Sequence, residues 1–390
     1  MIESSAEVKP AVRLRYGMVG GGPGAFIGDV HRKALNLDGM AEIAAGCFSQ
    51  DPQKTVAVGA ALGIPQERLY ATFEEMAEQE SKRADKIDFL VITTPNTSHF
   101  SIARAFLSRG IPVVCEKPLA TEMKDAEELA ALVKKTGLPF MVTYNYTGNV
   151  TIKHARELIQ KGEIGKVTFV NCEYPQEWLM VEAEKQGSKQ AITRTDPKLA
   201  GHANSVGDLG SHIESMVSYL TGLKITSVCA RLDKILPGRV LDDNATIMLE
   251  YDNGAKGIYW TSQIAAGYDN AFRVRVFGTR GAIDWNEEES NYLGLSCYGK
   301  PKTILSRGRD PFYPHAQSYS RIPSGHPEGY HESLANLYKT FIGALVKLKE
   351  GKTLGAEDQD WPTVEMGVDG VKFISKCVES SEKGAVWIKF

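Results

Sequence analysis

Between Tyr16 and Asn145, short apolar runs alternate with amphipathic segments, and this alternation restricts the chain more than any other feature. Tyr16 to Val19 has strand composition and stops at Gly20-Gly21-Gly22-Pro23-Gly24. In the "AFIGDVHRKALNLDG" that follows, Ile27, Val30, Ala34 and Leu37 recur at helical spacing. "EIAAGCFS", "IDFLVITTP", "PVVCEKP" and "PFMVTYN" supply further strands. Helical patterns separate them, one beginning near Asp51, one in "YATFEEMAEQ", one in "HFSIARAFLSRG" and one over residues 125–137. Strands joined through helices in this way run parallel under crossover connections. The expected class is α/β, with an N-terminal doubly wound parallel sheet of the Rossmann type over residues 12–146.

Open sheets of this kind bind ligands beyond the carboxyl ends of their strands. The first such end carries Gly20, Gly22 and Gly24, then Ala25, Phe26 and Ile27 at the start of a helix. Strand, glycine loop and helix together form the setting of a dinucleotide fingerprint. Glycine permits positive φ and close approach of a pyrophosphate, and the free N–H groups of a helix start favour an anion. The end of strand two falls on Ser49, beside Gln50 and Asp51. A carboxylate there would hold the ribose of NAD and repel the extra phosphate of NADP. A serine serves either, so the cofactor is NAD or NADP with a slight lean to NAD. The remaining ends carry Thr94-Pro95-Asn96, Glu116-Lys117-Pro118 and Tyr144-Asn145. Lys117 is therefore expected to face the same crevice as the glycine loop, the alternative being a solvated loop lysine.

After Asn145 the alternation ends. Residues 147–390 read as an α+β unit with a large, mostly antiparallel open sheet. A helix is expected over residues 152–161 and another in "GDLGSHIESMVSYLTG", with hairpin turns at residues 252–254 and 279–281. The closing segments "YHESLANLYKTFIGALVKLKEG" and "TVEMGVDGVKFISKCVESSEKG" carry apolar stripes expected to serve packing. Asp208 and His212 lie four apart, so an α-helix would put both on one face, where a carboxylate can orient an imidazole. The alternative is an N-capping Asp208 and a histidine satisfied in an interface.

A net charge of −3 offers no electrostatic reason to expect nucleic acid or an anionic membrane as a partner. The six cysteines form no CxxC or Cys/His cluster, which suits reduced core thiols in a cytoplasmic protein and gives no metal site. The N-terminal "MIESSAEVKPAVRLR" lacks the apolar core of a secretory signal and reads as a short flexible tail.

Together these residues resemble the glucose–fructose oxidoreductase, inositol dehydrogenase and MocA-type family of NAD(P)-dependent oxidoreductases. The matching pieces are the glycine turn before Ile27-Gly28-Asp29-Val30-His31, Thr94-Pro95-Asn96 with His99, Glu116-Lys117-Pro118, and Gly207-Asp208-Leu209-Gly210-Ser211-His212. The resemblance implies hydride transfer at a CH–OH carbon of a sugar, glycoside or cyclitol, and a homo-oligomer, dimer or tetramer, built through the C-terminal sheet. It also implies that Lys117 lies close to the nicotinamide and the reacting oxygen, with Asp208 and His212 as acid/base partners. Asn96 and His99 are expected to line the cofactor crevice, or else only to end a strand and cap a helix. Glu116 is expected to orient the strand end or Lys117. Tyr144, Tyr146, Trp178, His202 and Asn204 are the substrate candidates, with Arg194 for an anionic substituent. Two departures stand out: Pro23-Gly24-Ala25 lengthen the phosphate loop, and Ser49 replaces the usual carboxylate. Two other functions fit the same residues: an NAD-retaining glycoside hydrolase or lyase, and a non-enzymatic ligand sensor.

Overall fold

The computed structural model describes residues 13–309 and 311–390, so most of the expected N-terminal tail lies outside the described residues. The first unit runs β1 (Leu14–Gly20), α1 (Phe26–Leu37), β2 (Ala41–Cys47), α2 (Pro52–Ala61), α3 (Phe73–Lys82), β3 (Phe89–Thr93), α4 (His99–Leu107), β4 (Val113–Cys115), α5 (Met123–Thr136) and β5 (Phe140–Val142). Its five strands are all parallel, in the order β2-β1-β3-β4-β5. This is the Rossmann-type sheet expected from the alternation. Local chemistry sets the helix ends. The Asp51 side chain accepts from the Gln53 N–H with Pro52 opening α2, and Gly137 at φ 65° terminates α5. From β1 the chain moves outward to β2, then returns to place β3 on the other side of β1. A crevice therefore opens at the carboxyl ends of β1 and β3.

The second unit begins with α6 (Val150–Gln160), β6 (Val167–Pro175), α7 (Lys189–Thr195), α8 (Pro197–Ala200) and α9 (Ser211–Thr221), the last preceded by a π-helical turn at Val206–Gly210. Then come β7 (Ile225–Asp233), β8 (Asn244–Tyr251), β9 (Lys256–Ser262), β10 (Arg273–Gly278), β11 (Gly281–Asn286), β12 (Tyr292–Cys297) and β13 (Thr303–Ser306). The chain closes with α10 (Pro314–Gln317), α11 (Tyr330–Lys349), α12 (Val364–Glu382) and β14 (Ile388–Lys389). Nine strands form one sheet in the order β13-β12-β11-β10-β6-β9-β8-β7-β14, antiparallel except between β6 and β9. One face is buried under α6, α9 and α12 through Ile152, Ile213, Met216 and Phe373. The other leaves Met248, Ile258, Phe277 and Ile304 exposed.

The closing helices do pack, but against both units. Leu334, Leu337 and Phe341 of α11 join Leu14, Tyr16 and Phe89 beneath the parallel sheet. Val364 and Val371 of α12 join the other face of that sheet, while Phe373 and Cys377 enter the core of the second unit.

One buried carboxyl is not balanced. Glu214 on α9 lies beside Tyr144, and neither the Glu214 Oε2 nor the Tyr144 hydroxyl finds a hydrogen-bond partner among the described residues. Burial, reinforced by Asp369, pushes this carboxyl up to about 8. The folded chain thus keeps a proton that the unfolded chain releases above the ordinary glutamate range. Stability drains away as pH rises from that range through about 8. Glu214→Gln, which mimics the protonated form, should raise the melting temperature more at about pH 9 than at about pH 5. Equal shifts at the two pH values would show that the carboxyl's charge plays no part.

Candidate active site

The phosphate loop is glycine because its neighbours leave no room. A Cβ on Gly20, which sits at φ +90°, would lie 2.7 Å from the Thr93 carbonyl carbon, and one on Gly22 would lie 2.6 Å from the Phe48 oxygen. The backbone is thereby pressed onto the ends of β3 and β2. No side chain caps α1 at Ala25, so the first-turn N–H groups stay available to an anion. Gly20, Gly22, Gly24, Ala25, Phe26 and Ile27 line a cleft of about 1280 Å³. Ser49, Thr94, Pro95, Asn96, Glu116, Lys117 and Asn145 line the same cleft, with Phe48, Gln50, Lys54 and Phe73 toward the β2 end. The Ser49 hydroxyl accepts from the Asp51 N–H at 3.1 Å. The buried Asn145 Nδ2 has no partner among the described residues and can donate to a bound group. A close-packed glycine turn, an uncapped helix start and this unpaired amide fit a dinucleotide.

His99 does not line the cleft. It is fully buried, with Nδ1 at 2.8 Å from the Pro118 carbonyl oxygen and Nε2 at 2.9 Å from that of Thr94. It packs the loop after β3 onto the loop after β4, and burial lowers its pKa. The H-F-S pattern at a helix start does not reveal which carbonyls lie behind it.

At the mouth of β4, Glu116 points inward. Its Oε1 lies 2.9 Å from His31 Nε2 and accepts from the Thr143 hydroxyl, while His31 Nδ1 meets the Tyr338 hydroxyl at 2.5 Å. Burial raises the Glu116 carboxyl, but the His31 and Thr143 contacts outweigh it and keep the group anionic. Lys117 points instead into the cleft and crosses to the second unit. Its Nζ donates to Asp208 Oδ1 at 2.6 Å and to the Asp208 carbonyl at 3.1 Å. The Arg194 Nε (2.6 Å) and Gln263 Nε2 (3.0 Å) both donate to Asp208 Oδ2. Burial would raise the Asp208 carboxyl, yet Arg194 and Lys117 hold it well below the usual carboxylate range.

The expected Asp208–His212 pairing is not formed. Residues 206–210 wind as a π turn, whose i→i+5 repeat breaks the register that would stack residue 208 against 212. Two full cations then outcompete an imidazole for the carboxylate. His212 is 7% exposed and hydrogen-bonds to none of the described residues. Its ring is framed by Tyr146 at 5.0 Å, Tyr144 at 5.8 Å and Tyr174 at 6.1 Å between centroids. Burial, then the Lys117 charge, push its pKa well below the ordinary value, so at neutral pH it is an uncharged ring.

Of the substrate candidates, Tyr146, Trp178, Arg194 and Asn204 line the cleft. Arg194 is not an open anion site, because Asp208 occupies its Nε and its guanidinium lies 5.3 Å from the Trp178 ring. Tyr144 is buried behind His212, outside the cleft lining. His202 is a surface residue 2.8 Å from Glu122. Trp285 is core, donating to the Thr151 hydroxyl, and Trp260 donates to Asn244. Sequence reasoning missed Tyr174, Gln176, Asn270, Glu287 and Tyr330, all of which line the cleft. They come from β6, its end, the loop before β10, the turn after β11 and the first residue of α11. Their only sequence signal is polar or aromatic character at the limits of predicted strands and helices.

Among the described residues no three His, Cys, Asp or Glu gather to hold a metal, and no helix is long and apolar enough to cross a membrane. Residues 14–144 match the model of an oxidoreductase family with an NAD-binding Rossmann fold, and residues 152–284 match the GFO/IDH/MocA C-terminal domain. The uncharacterised oxidoreductase YfiI of Bacillus subtilis is 33% identical over 97% of each chain. An inositol dehydrogenase homologue from Azotobacter vinelandii, solved with NAD+, superposes with a TM-score of 0.94 at 33% identity, over 99% of this chain and 100% of that one. Levoglucosan dehydrogenase of Pseudarthrobacter phenanthrenivorans is 27% identical over 73% of this chain and 76% of its own. With both units matched and relatives spanning nearly the full length, the chain belongs to the GFO/IDH/MocA family of NAD-binding oxidoreductases.

Proposed function

We propose that the protein oxidises a secondary alcohol carbon of a sugar, glycoside or cyclitol, with Lys117 and His212 handling the hydroxyl. The observation that carries this reading is the 2.6 Å contact from Lys117 to Asp208 across the two units, in a cleft that Lys117, His212 and the glycine loop all line. The glycine-loop N–H groups, Ser49 and Asn145 would hold the dinucleotide. A bound nicotinamide dinucleotide would supply the hydride acceptor for the substrate carbon.

The chain's own task is the oxygen. Oxidation of an alcohol releases the hydroxyl proton, and an uncharged imidazole in a dry pocket can accept it. His212 is in that state at neutral pH. The Lys117 ammonium donates to the same oxygen as negative charge develops there. Asp208 stays ionised, holds that ammonium in place and leaves it a further N–H to offer. Glu116, tied to His31 and Thr143, fixes the strand end from which Lys117 projects. Tyr146 and Trp178 offer aromatic faces to the C–H side of a ring.

Levoglucosan dehydrogenase and an inositol dehydrogenase homologue solved with NADH and myo-inositol are among the relatives, which supports a polyol substrate. The exposed apolar residues Met248, Ile258 and Phe277 on the open sheet support assembly of copies through that face. Cysteines that are all free among the described residues suit a cytoplasmic setting.

A panel of sugars, glycosides and inositols, each mixed with NAD or NADP and followed by absorbance, tests the reading. Reduced nicotinamide should form with at least one polyol. Cleavage of a glycoside without net reduced cofactor would overturn it in favour of hydrolysis.

A further inference from the structure

Six polar side chains of the cleft form a continuous network. Asn270, in the loop between β9 and β10, is its hub. Its Nδ2 donates to the Tyr146 hydroxyl (3.2 Å) and to Glu287 Oε2 (3.1 Å), while its Oδ1 accepts from the Tyr174 hydroxyl (2.8 Å) and Gln176 Nε2 (2.6 Å). The Tyr146 and Tyr174 hydroxyls are 2.7 Å apart, and the Gln176 Oε1 accepts from Trp178 Nε1 at 2.9 Å. Glu288 fixes the hub from outside by accepting the Asn270 backbone N–H at 3.0 Å. Asn270 thus has all four side-chain hydrogen-bonding positions filled.

Glu287 is the charged member of this network, and its second oxygen differs from the rest. Oε1 accepts no hydrogen bond from a described residue, yet the residue lines the cleft. Its link to His212 runs through the Asn270 amide and the Tyr146 ring, and among the described residues it makes no hydrogen bond to Lys117 or His212. Burial, with Glu288 adding to it, penalises its charge, so the free oxygen gains from any donor that enters. Arg194, a cation lining the same cleft, is already engaged by Asp208.

We propose that Glu287 is a specificity-determining residue, whose Oε1 accepts a hydrogen bond from a substrate hydroxyl on a carbon that is not oxidised. Asn270 positions the carboxylate for this by holding Oε2. The substrate class is then a polyol carrying a free hydroxyl remote from the reacting carbon. This rests on the alcohol-oxidation reading above.

The test pairs Glu287→Gln with deoxy analogues of the best polyol in the panel, each lacking one hydroxyl. The glutamine keeps the shape and the Asn270 contact but removes the charge. On the parent polyol, kcat/KM should fall about 10- to 100-fold, the range of a hydrogen bond to a charged group. On the one analogue lacking the hydroxyl that meets Glu287, the fall should be less than about 3-fold, as a coupled pair requires. NADH affinity of the variant, measured separately, reports on folding, and Glu287→Asp serves in its place if that affinity is lost. An equal fall on every analogue, or no fall on the parent, overturns the proposal while leaving alcohol oxidation intact. If the wild type neither binds nor oxidises any polyol, the proposal falls together with the reading it rests on.

Discussion

Lys117→Ala should lower kcat/KM by about 10²- to 10⁴-fold while NADH affinity changes less than about threefold. The expectation follows from where the ammonium lies. Its side chain, like that of Asp208, is 14% exposed, and the contact between them is an ion pair that joins the two units inside the cleft. The glycine loop that would hold the dinucleotide owes its shape to packing on Thr93 and Phe48, not to Lys117. His212→Ala should show a similar loss, because the neutral ring is the proposed proton acceptor. The two variants differ in their pH profiles. In the wild type, protonation of His212 becomes limiting only well below its ordinary range, since burial and Lys117 lower its pKa. The acid limb of kcat/KM should therefore lie below the ordinary histidine range and vanish in His212→Ala. Wild-type turnover in both variants would remove these residues from the chemistry.

Asp208→Asn should cost about 3–5 kcal/mol of stability, the usual penalty for removing one partner of a buried ion pair. Two cations depend on that carboxylate, Lys117 at 2.6 Å and Arg194 at 2.6 Å, and an amide leaves both without an anion. The sign with pH follows from the depressed carboxyl. Its stabilisation is complete above the ordinary aspartate range and is lost only as pH falls through the much lower folded value. Urea titrations should therefore show the full gap between wild type and variant at neutral pH, narrowing only in strong acid. A gap below about 0.5 kcal/mol at neutral pH would mean the triad is electrostatically idle. Turnover should fall as well, because an unanchored Lys117 no longer presents its N–H groups in a fixed direction.

The parallel sheet was legible because its code is local: runs such as Phe89–Thr93 are apolar on both faces, and Asp51 and Gly137 punctuate the helices between them. The large mixed sheet was legible as a class, from its hairpin turns and alternating strands. What escaped was partnership at long range. The apolar stripe of α11 is plain in the sequence, but nothing in its spacing says that Leu334 and Phe341 return to cover Leu14 and Phe89. The same limit applies to the cleft. Thr94-Pro95-Asn96 and Glu116-Lys117 could be placed there because strand ends of a parallel sheet share one edge. Asp208 was assigned an α-helical neighbour, because a π turn looks like any helix start in sequence. His99 has a residue type that suits the cofactor crevice, and Tyr144 and His202 types that suit a sugar site, yet burial behind a loop, burial behind a ring and exposure at the surface take all three away from the cleft. Nothing local in the sequence singles out Asn270 or Glu287, and it is the fold that brings Asn270 to Tyr146 and Glu287 to Asn270. β13 and β14, of four and two residues, are too short to carry a pattern of their own.

A crystal structure of the ternary complex with NADH and a bound polyol would decide whether an ammonium and an imidazole share one oxygen. The expected result is a single substrate hydroxyl within about 3.2 Å of both Lys117 Nζ and a ring nitrogen of His212. A polyol bound with none of its oxygens near either group would contradict it.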